Sequence, residues 1–353
     1  MSLGDWGWDE WWEERASALG IEALRVARVT GQDRGSWSLQ TVRGPRSGRI
    51  PSASGLSPMP AVGDWVVVQA GPTPSDPWSM ASVLTRRSQI SRGVAGTGQS
   101  EQVLAANVDK VWIVHGLDLP LNHRRIERYL AVVWESGASP EIILTKADLA
   151  ADVDSRISTL QGTAMGVPVR SVSSAAPDSV RSLRETLEVG STVCLLGPSG
   201  VGKSTLINSL SGSEVSATLE VRKADGKGRH TTTRRALFRI PGGACLVDTP
   251  GIRELRIWML DEGLSGAFPD IEALAGQCRF RDCRHETEPG CAVLAAVEAG
   301  TLDPARLASF GKLRAEAAYE QRKSDPRARA AALSDRKSAL KTLRYHPKYR
   351  DSS

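Results

Sequence analysis

Short apolar runs separated by turn residues make up the first quarter of the chain. Between about residues 21 and 92, β-like pieces alternate with Gly, Pro and Ser, which is typical of a small all-β unit. The pieces read LRVARVTG, WSLQTVRG, GRIPS, VGDWVVVQ and MASVLTRR. Their number and spacing favour a five-stranded barrel of the oligonucleotide-binding (OB) type, although other small barrels give a similar pattern.

After about residue 93, predicted apolar strands alternate with predicted helices. We predict strands over 108–114, 141–145, 167–172, 192–196, 235–240 and 244–248, and helices near 122–136, 152–165, 178–188 and 203–211. This alternation indicates a mostly parallel sheet with helices on both faces. Ligands of such sheets bind at the carboxyl ends of the strands, which is where functional residues are expected.

Changes in composition and in the pattern of apolar residues divide the chain into four predicted segments. They are a Trp-rich acidic start at 1–20, a barrel at 21–92, an α/β domain at 93–257 and a helical domain with a basic tail at 258–353. The start contains Trp6, Trp8, Trp11 and Trp12. For a terminus, a loosely held segment is favoured over a short amphipathic helix that docks on the body or on a partner.

Composition narrows the class of protein. No run approaches the roughly 18 apolar residues that span a bilayer, and the first ten residues lack a secretion signal, so a cytoplasmic protein without a membrane partner is expected. Five Cys in 353 residues do not make a disulfide framework. Residues 305–353 contain thirteen Lys or Arg and five acidic residues. This excess of positive charge is typical either of a segment that binds a polyanion such as RNA or of a solvated helical face.

A phosphate-binding loop follows the strand predicted at 192–196. The stretch GPSGVGKS matches G-x-x-x-x-G-K-[ST] between a strand and a helix, the context that this motif requires. Its glycines let backbone N–H groups turn toward phosphate, Lys203 would reach the β- and γ-phosphates, and Ser204 would bind Mg²⁺. The predicted loop comprises Gly197, Pro198, Ser199, Gly200, Val201, Gly202, Lys203, Ser204 and Thr205.

Residues at the ends of other strands select the nucleotide. In TKAD, Asp148 can accept two N–H bonds from guanine but not from adenine, and Lys146 would lie along the base plane. Thr145 stands where such motifs usually have Asn, and a hydroxyl makes fewer tethering bonds than an amide. Ser173 and Ser174, after the next strand, lie where backbone N–H groups would face the base.

The segment that would surround the γ-phosphate lies further along the chain. In DTPG, Asp248 ends a strand and would hold Mg²⁺ through water, while Gly251 lets a backbone N–H approach the phosphate. Thr232 or Thr233, in the polar stretch GKGRHTTTRR, is expected to cap the metal ion. These companions favour GTP over the nucleotide-kinase or transporter-ATPase interpretation of the phosphate loop.

A cluster of metal-ligand residues follows. Cys278, Cys283, His285 and Cys291 have the spacing C-x4-C-x-H-x5-C, which suits one closed tetrahedral zinc site with a structural role. Cys194 and Cys245 fall within predicted strands and are expected in the core. Three arginines near the cluster and the basic tail would present cations to phosphate: Arg279, Arg281 and Arg284.

The predicted base-reading loop, TKAD at residues 145–148, precedes the phosphate loop, which is the reverse of the order in ordinary guanine-nucleotide switches. Together, TKAD, GPSGVGKST, GRHTTTRR, DTPG and CRFRDCRHETEPGC resemble the ribosome small-subunit-dependent GTPase A family over roughly residues 21 to 345. The resemblance implies an OB-like barrel, a circularly permuted GTPase domain and a C-terminal zinc domain. Permutation of this kind is possible because domain termini often lie close together.

The resemblance also implies a function. It indicates a monomeric factor that acts late in maturation of the bacterial small ribosomal subunit, binds its rRNA and hydrolyses GTP when the subunit stimulates it. An RNA-binding module in which GTP serves only as a conformational ligand is the alternative, because Ile252 follows DTPG and cannot orient water. His230 resembles the family's switch histidine, and the expected catalytic set is His230, Lys203, Thr232 and Thr233; a loop His that only contacts RNA is the alternative for His230.

Overall fold

The computed structural model describes residues 2–33, 35–51, 55–73, 75–93, 101–212, 235–248 and 261–324. The sites predicted at His230, Thr232, Thr233 and Gly251, and the basic tail beyond residue 324, lie outside the described residues. The chain forms two compact units: Met1–Arg92 with Gln102–Leu255, and Gly93–Glu101 with Arg256–Ser353. Within the ranges given above, we find no helix with the length and apolar character needed to cross a membrane.

Five strands of the first unit close into a barrel. They are β1 (Val26–Asp33), β2 (Ser36–Thr41), β3 (Gly44–Arg49), β4 (Trp65–Gln69) and β5 (Trp78–Val83). They pair in the order β1-β2-β3-β5-β4, and β4 returns to pair with β1. Only the β3–β5 pair among them is parallel. The five-stranded barrel predicted from the sequence is confirmed.

Alternate residues of the barrel strands point inward, as the period of two requires. Side chains from four strands meet in one buried cluster, which contains Ala27, Val29, Trp37, Leu39, Val66, Val68, Trp78 and Met80. Their burial removes apolar surface from water and so stabilises the closed barrel of short strands.

The Trp-rich start is a docked helix, and the prediction of a loosely held terminus is wrong. Helix α1 (Glu10–Ala18) begins where the Asp9 side chain accepts from the Trp12 backbone N–H. Trp12 is only 1% exposed and packs with Trp65 of β4 in a cluster that also includes Val26. An ion pair between Asp9 and Arg87 fixes the start of the helix. Aromatic burial therefore attaches this segment to the barrel.

The rest of the first unit is an α/β layer. Its strands are β6 (Gln89–Gly93), β7 (Glu101–Ala106), β8 (Lys110–Gly116), β9 (Ser139–Thr145), β10 (Val169–Ser171), β11 (Thr192–Leu196), β12 (Arg235–Arg239) and β13 (Cys245–Asp248). β6 and β7 pair with each other, and the others form a sheet in the order β10-β9-β8-β11-β13-β12. Pairing is parallel from β10 to β13 and antiparallel at β12. All six predicted strands are confirmed, and both ends of each lie within two residues of the prediction.

Four helices accompany this sheet: α2 (His123–Glu135), α3 (Val153–Thr163), α4 (Pro177–Glu185) and α5 over residues 203–212. In α2, Asn122 caps the first turn by accepting from the Arg125 N–H at 3.0 Å. The apolar stripe Ile126, Leu130 and Val133 is buried, as the helical period predicts. Cys194 and Cys245 are fully buried, which confirms their expected place in the core.

The barrel and the α/β sheet are joined by hydrogen bonds. β12 pairs antiparallel with β1, Gly31 lying opposite Ala236. Beside this pair, the buried Arg28 guanidinium of β1 donates to the Asn107 carbonyl and to the Thr192 hydroxyl, each at 3.1 Å. A buried charge needs such partners, so removal of any of them would be costly.

The second unit contains helices over its described residues 261–324. It contains α6 (Asp261–Ala267), α7 (Pro269–Ala275), α8 (Ala292–Glu298) and α9 (Pro304–Ser324). Phe268 and Phe310 meet edge to face in its interior. Arg306 of α9 forms a two-pronged ion pair with Asp270 of α7, and this pair holds the long helix against the shorter ones.

Replacement of Trp12 by Ala should lower the free energy of unfolding of the first unit by about 3 kcal/mol or more, since a fully buried indole is lost from a packed cluster. Urea unfolding monitored by circular dichroism measures the change. Leu19→Ala, in the same segment but 67% exposed, serves as the control and should change stability by less than about 0.5 kcal/mol. Equal effects of the two substitutions would contradict the docked arrangement.

Candidate nucleotide and metal sites

The predicted phosphate loop connects β11 to α5 and is held tightly against the sheet. A Cβ at Gly197 would lie 2.5 Å from the Val114 carbonyl oxygen of β8, so a larger residue has no room there. Gly202 has φ +92°, a backbone conformation that favours glycine. The loop therefore needs glycine both for its approach to β8 and for its turn into the helix.

Lys203 lies across this loop. Its ammonium donates to the carbonyls of Gly197 at 2.7 Å and Pro198 at 2.6 Å. Ser204 and Thr205 follow as exposed residues at the start of α5. Asp248 is half-buried at the carboxyl end of β13, which is the neighbour of β11. The cation, the hydroxyl and the carboxylate expected around a magnesium-bound phosphate thus occur at one edge of the sheet.

Thr145 ties the base-reading loop to the phosphate loop. It is buried at the end of β9, and its hydroxyl donates to the Val201 carbonyl at 2.5 Å. The His115 carbonyl is also within 3.3 Å of that hydroxyl. A hydroxyl has one proton to donate, and the shorter of the two contacts is the one to Val201. The single donor of Thr145 therefore links the two loops.

Lys146 makes the second tie between the two loops. It has φ +59° and precedes a short 3₁₀ turn at Ala147–Leu149. Its ammonium donates to the Gly200 carbonyl at 2.9 Å and to the Asp118 carboxylate at 2.6 Å. The hydrogen bond and charge of the ammonium hold the pKa of Asp118 below its usual range. Sequence reasoning missed Asp118, for which no motif signals a role.

Asp148 lies exposed in the same turn, where its carboxylate faces the next strand-end loop. The Ser173 hydroxyl donates to this carboxylate, and the Ser173 backbone N–H donates to the Ser179 hydroxyl at 2.9 Å. Ser174 is exposed beside them. The structure therefore brings Thr145, Lys146, Asp148 and Ser173 to the edge of the sheet that carries the phosphate loop.

The four predicted metal ligands come together in the second unit. Ligand atoms of Cys278, Cys283, His285 and Cys291 all lie within 4.8 Å of one another. The Cys278 and Cys291 sulfurs are 3.9 Å apart, and His285 Nδ1 lies 3.7 Å and 3.4 Å from them. A tetrahedral ion with bonds of about 2.3 Å to sulfur and 2.0–2.1 Å to nitrogen requires edges of about 3.5–3.8 Å. The residues therefore fit a four-coordinate metal ion.

Local backbone geometry prepares this cluster. His285 has φ +60°, and its ring lies beside the sulfurs although only one residue separates it from Cys283. The Cys291 sulfur accepts from the Leu294 N–H at 3.4 Å as α8 begins, so a helix N-terminus supports a thiolate at this position.

Fold and site together define a class of protein. The predicted phosphate loop follows the central strand β11, and the predicted base-reading loop follows β9, two strands away. This is the arrangement of a nucleotide-binding α/β domain. The base-reading loop precedes the phosphate loop in the chain, so the domain is circularly permuted.

Comparison with known proteins identifies the family. Residues 83–258 match the RsgA GTPase family model. A protein of Opitutus terrae named small ribosomal subunit biogenesis GTPase RsgA is 43% identical over 344 residues, covering 92% of each chain. A protein of the same name from Xanthomonas euvesicatoria pv. vesicatoria is 49% identical over 259 residues, covering 73% of this chain and 69% of that protein. The chain therefore belongs to the RsgA GTPase family and is a GTPase.

Solved structures agree on the fold. YjeQ from Thermotoga maritima matches with a TM-score of 0.63 and 24% identity, covering 83% of this chain and 98% of that one. YloQ, described as a circularly permuted GTPase, matches with a TM-score of 0.60 and 25% identity, covering 83% and 94%. The permuted order inferred from the sequence is confirmed.

Replacement of Thr145 by Val should weaken GDP binding roughly five- to tenfold, because the near-isosteric side chain leaves the buried Val201 carbonyl without its donor. Equilibrium titration with a fluorescent GDP measures the change. Thr145→Ser keeps the hydroxyl and should bind within about twofold of the unmodified chain. Equal binding by the Val and Ser variants would show that the tie does not support the pocket.

Proposed function

We propose that the chain is a GTP-hydrolysing assembly factor for late maturation of the small ribosomal subunit, and that the subunit and its rRNA stimulate turnover. The observation that carries this proposal is the pair of ties that fasten the base-reading loop to the phosphate loop, from Thr145 to Val201 and from Lys146 to Gly200. They occur in a chain whose relatives are named for small-subunit biogenesis. The factor acts as a cytoplasmic monomer.

The nucleotide is GTP with Mg²⁺, and the described residues suggest how each part is held. Lys203 already lies across the loop and binds the β- and γ-phosphates by exchanging its carbonyl partners for phosphate oxygens. Ser204 and Asp248 would hold Mg²⁺, and a bound ion would supply positive charge against the phosphates. Asp148 reads guanine, with Ser173 and Ser174 beside it.

Catalysis in this proposal draws on residues outside the described ranges. Thr232 or Thr233 caps the metal ion, and the Gly251 N–H approaches the γ-phosphate. Ile252 occupies the position after DTPG, and its apolar side chain cannot orient a water molecule. Intrinsic turnover is therefore slow, and His230 supplies that function when the ribosomal subunit is bound.

The metal of the second unit is zinc, with three thiolates and one imidazole and no open coordination position, so it has a structural role. Arg279, Arg281 and Arg284, beside the ligands, are exposed. Phe280 is also 41% exposed. Cations interleaved with an aromatic ring suit the phosphates and bases of RNA, so this surface contacts rRNA.

Added small ribosomal subunits should raise GTP turnover by at least about tenfold, because Ile252 leaves the isolated site without a side chain that orients water. Phosphate release with subunits added or withheld measures this increase. Turnover that the subunits do not change would instead support a module in which GTP is only a conformational ligand.

A matched variant tests the base assignment in the same assay. Asp148→Asn should shift the preference toward xanthosine triphosphate by roughly 100-fold, since the amide can donate to the xanthine oxygen that replaces the guanine amino group. An unchanged preference for GTP would contradict the role of Asp148, even if subunit stimulation were retained.

One zinc ion per chain is expected by elemental analysis of the purified protein. Cys278→Ser and Cys283→Ser should each lose most of it, and chelation should lower the melting temperature of the second unit, because the metal ties together short helices and a loop. Cys194→Ala, in β11 of the first unit, is the control and should keep the ion. Full zinc content in both ligand variants would contradict the assignment.

A further inference from the structure

The Asp118 carboxylate holds the Lys146 ammonium on the phosphate loop. Its Oδ2 accepts from the ammonium at 2.6 Å, while the same ammonium donates to the Gly200 carbonyl at 2.9 Å. A lysine ammonium on a four-carbon stem is mobile unless several acceptors fix it. Two acceptors on opposite loops define its position, and one of them is supplied by Asp118.

The backbone around Asp118 is held in place from both sides. The Leu117 N–H donates to the Thr145 carbonyl at 2.9 Å, so the residue before Asp118 is bonded to the base-reading strand. The Arg156 guanidinium of α3 donates to the carbonyls of Leu117 at 3.0 Å and Leu119 at 3.1 Å. Three hydrogen bonds therefore fix the two residues that flank Asp118.

Glycine provides the space for this carboxylate. A Cβ added at Gly116 would lie 2.5 Å from the Asp118 Oδ1 and 3.6 Å from the Val201 Cα. The carboxylate therefore lies in the space above Gly116, against the phosphate loop. A side chain at position 116 would displace it from Lys146.

We propose that Asp118 is a positioning residue for guanine-nucleotide binding, acting through Lys146. Held by Asp118 and Gly200, the Lys146 stem lies flat along the plane that the base occupies. This inference rests on the proposed base-reading role of the TKAD loop. It assigns no direct contact between Asp118 and the nucleotide.

The direction in which GDP affinity changes when Asp118 is replaced distinguishes a positioning role from a purely electrostatic one. Removal of a negative charge near an anionic diphosphate should tighten binding by Coulomb's law. Loss of a positioning contact should weaken it. Side chains of Lys146 and Asp118 are 30% and 32% exposed, so the loss corresponds to that of a partly solvated ion pair.

The experiment titrates fluorescent GDP into the full chain and its variants at fixed salt. Asp118→Asn and Asp118→Ala should each raise the Kd roughly three- to fivefold with an unchanged melting temperature. Asp178→Asn removes a carboxylate from the exposed Asp178–Arg181 pair of the same unit and should leave the Kd unchanged. In a Lys146→Met background, Asp118→Asn should have no further effect.

An unchanged or lower Kd for both Asp118 variants would overturn the inference. A loss that persists in the Lys146→Met background would also overturn it, because Asp118 would then act on the nucleotide directly. Failure of the unmodified chain to bind GDP would refute the proposed nucleotide site itself. Normal binding by that chain without a loss in the Asp118 variants would leave the proposed function standing and remove only the positioning role.

Discussion

Parallel pairing of β8 with β9 on one side and with β11 on the other is the constraint on which the nucleotide site depends. In this register Gly116 lies opposite Thr145, and Ile113 lies opposite Leu196, so the carboxyl ends of three strands reach the same edge. The loops that follow these strands are then within hydrogen-bonding distance of one another. Hydrogen bonding between strands, and not their order along the chain, determines which loops meet. A permuted chain can therefore build the same pocket, provided that the apolar strands specify the same neighbours.

The barrel is attached to this sheet by a joint that is both hydrogen-bonded and buried. β1 belongs to the barrel and also extends the sheet through β12, while Arg28 reaches from β1 to Thr192 at the start of β11. A guanidinium taken out of water is tolerated only with fixed partners, so this contact selects one orientation of the barrel relative to the sheet. Trp12 packs against Trp65 of the barrel and so buries further apolar surface there. The first unit is therefore a single body, although the sequence suggests a barrel followed by a separate domain.

Sequence reasoning succeeded where the signal is local. Apolar runs bounded by turn residues predicted the strands of the parallel sheet, because such strands are buried on both faces of the sheet. Ligand spacing in the Cys/His stretch predicted the cluster that the structure brings together. Asp118 was missed because its role depends on where the Lys146 ammonium lies, and no spacing encodes that position. The docking of Trp12 was missed because its partner Trp65 lies on a barrel strand distant in sequence, and a terminus carries no pattern that distinguishes a docked helix from a free one.

Arg235 shows how the permuted order connects the nucleotide site to the barrel. It begins β12 two residues after the predicted switch threonine Thr233, and it is buried. Its guanidinium donates to the Val103 carbonyl of β7 at 3.2 Å and reaches Gln32 of β1 at 3.4 Å. β12 also pairs with β13, which ends at Asp248. Arg235, which follows the predicted switch threonines in the sequence, therefore contacts the barrel, and β13, the partner of β12, ends at the predicted magnesium carboxylate. Because β12 is hydrogen-bonded both to β13 and to β1 of the barrel, a shift of the predicted magnesium carboxylate at the end of β13 would be transmitted to the barrel through β12.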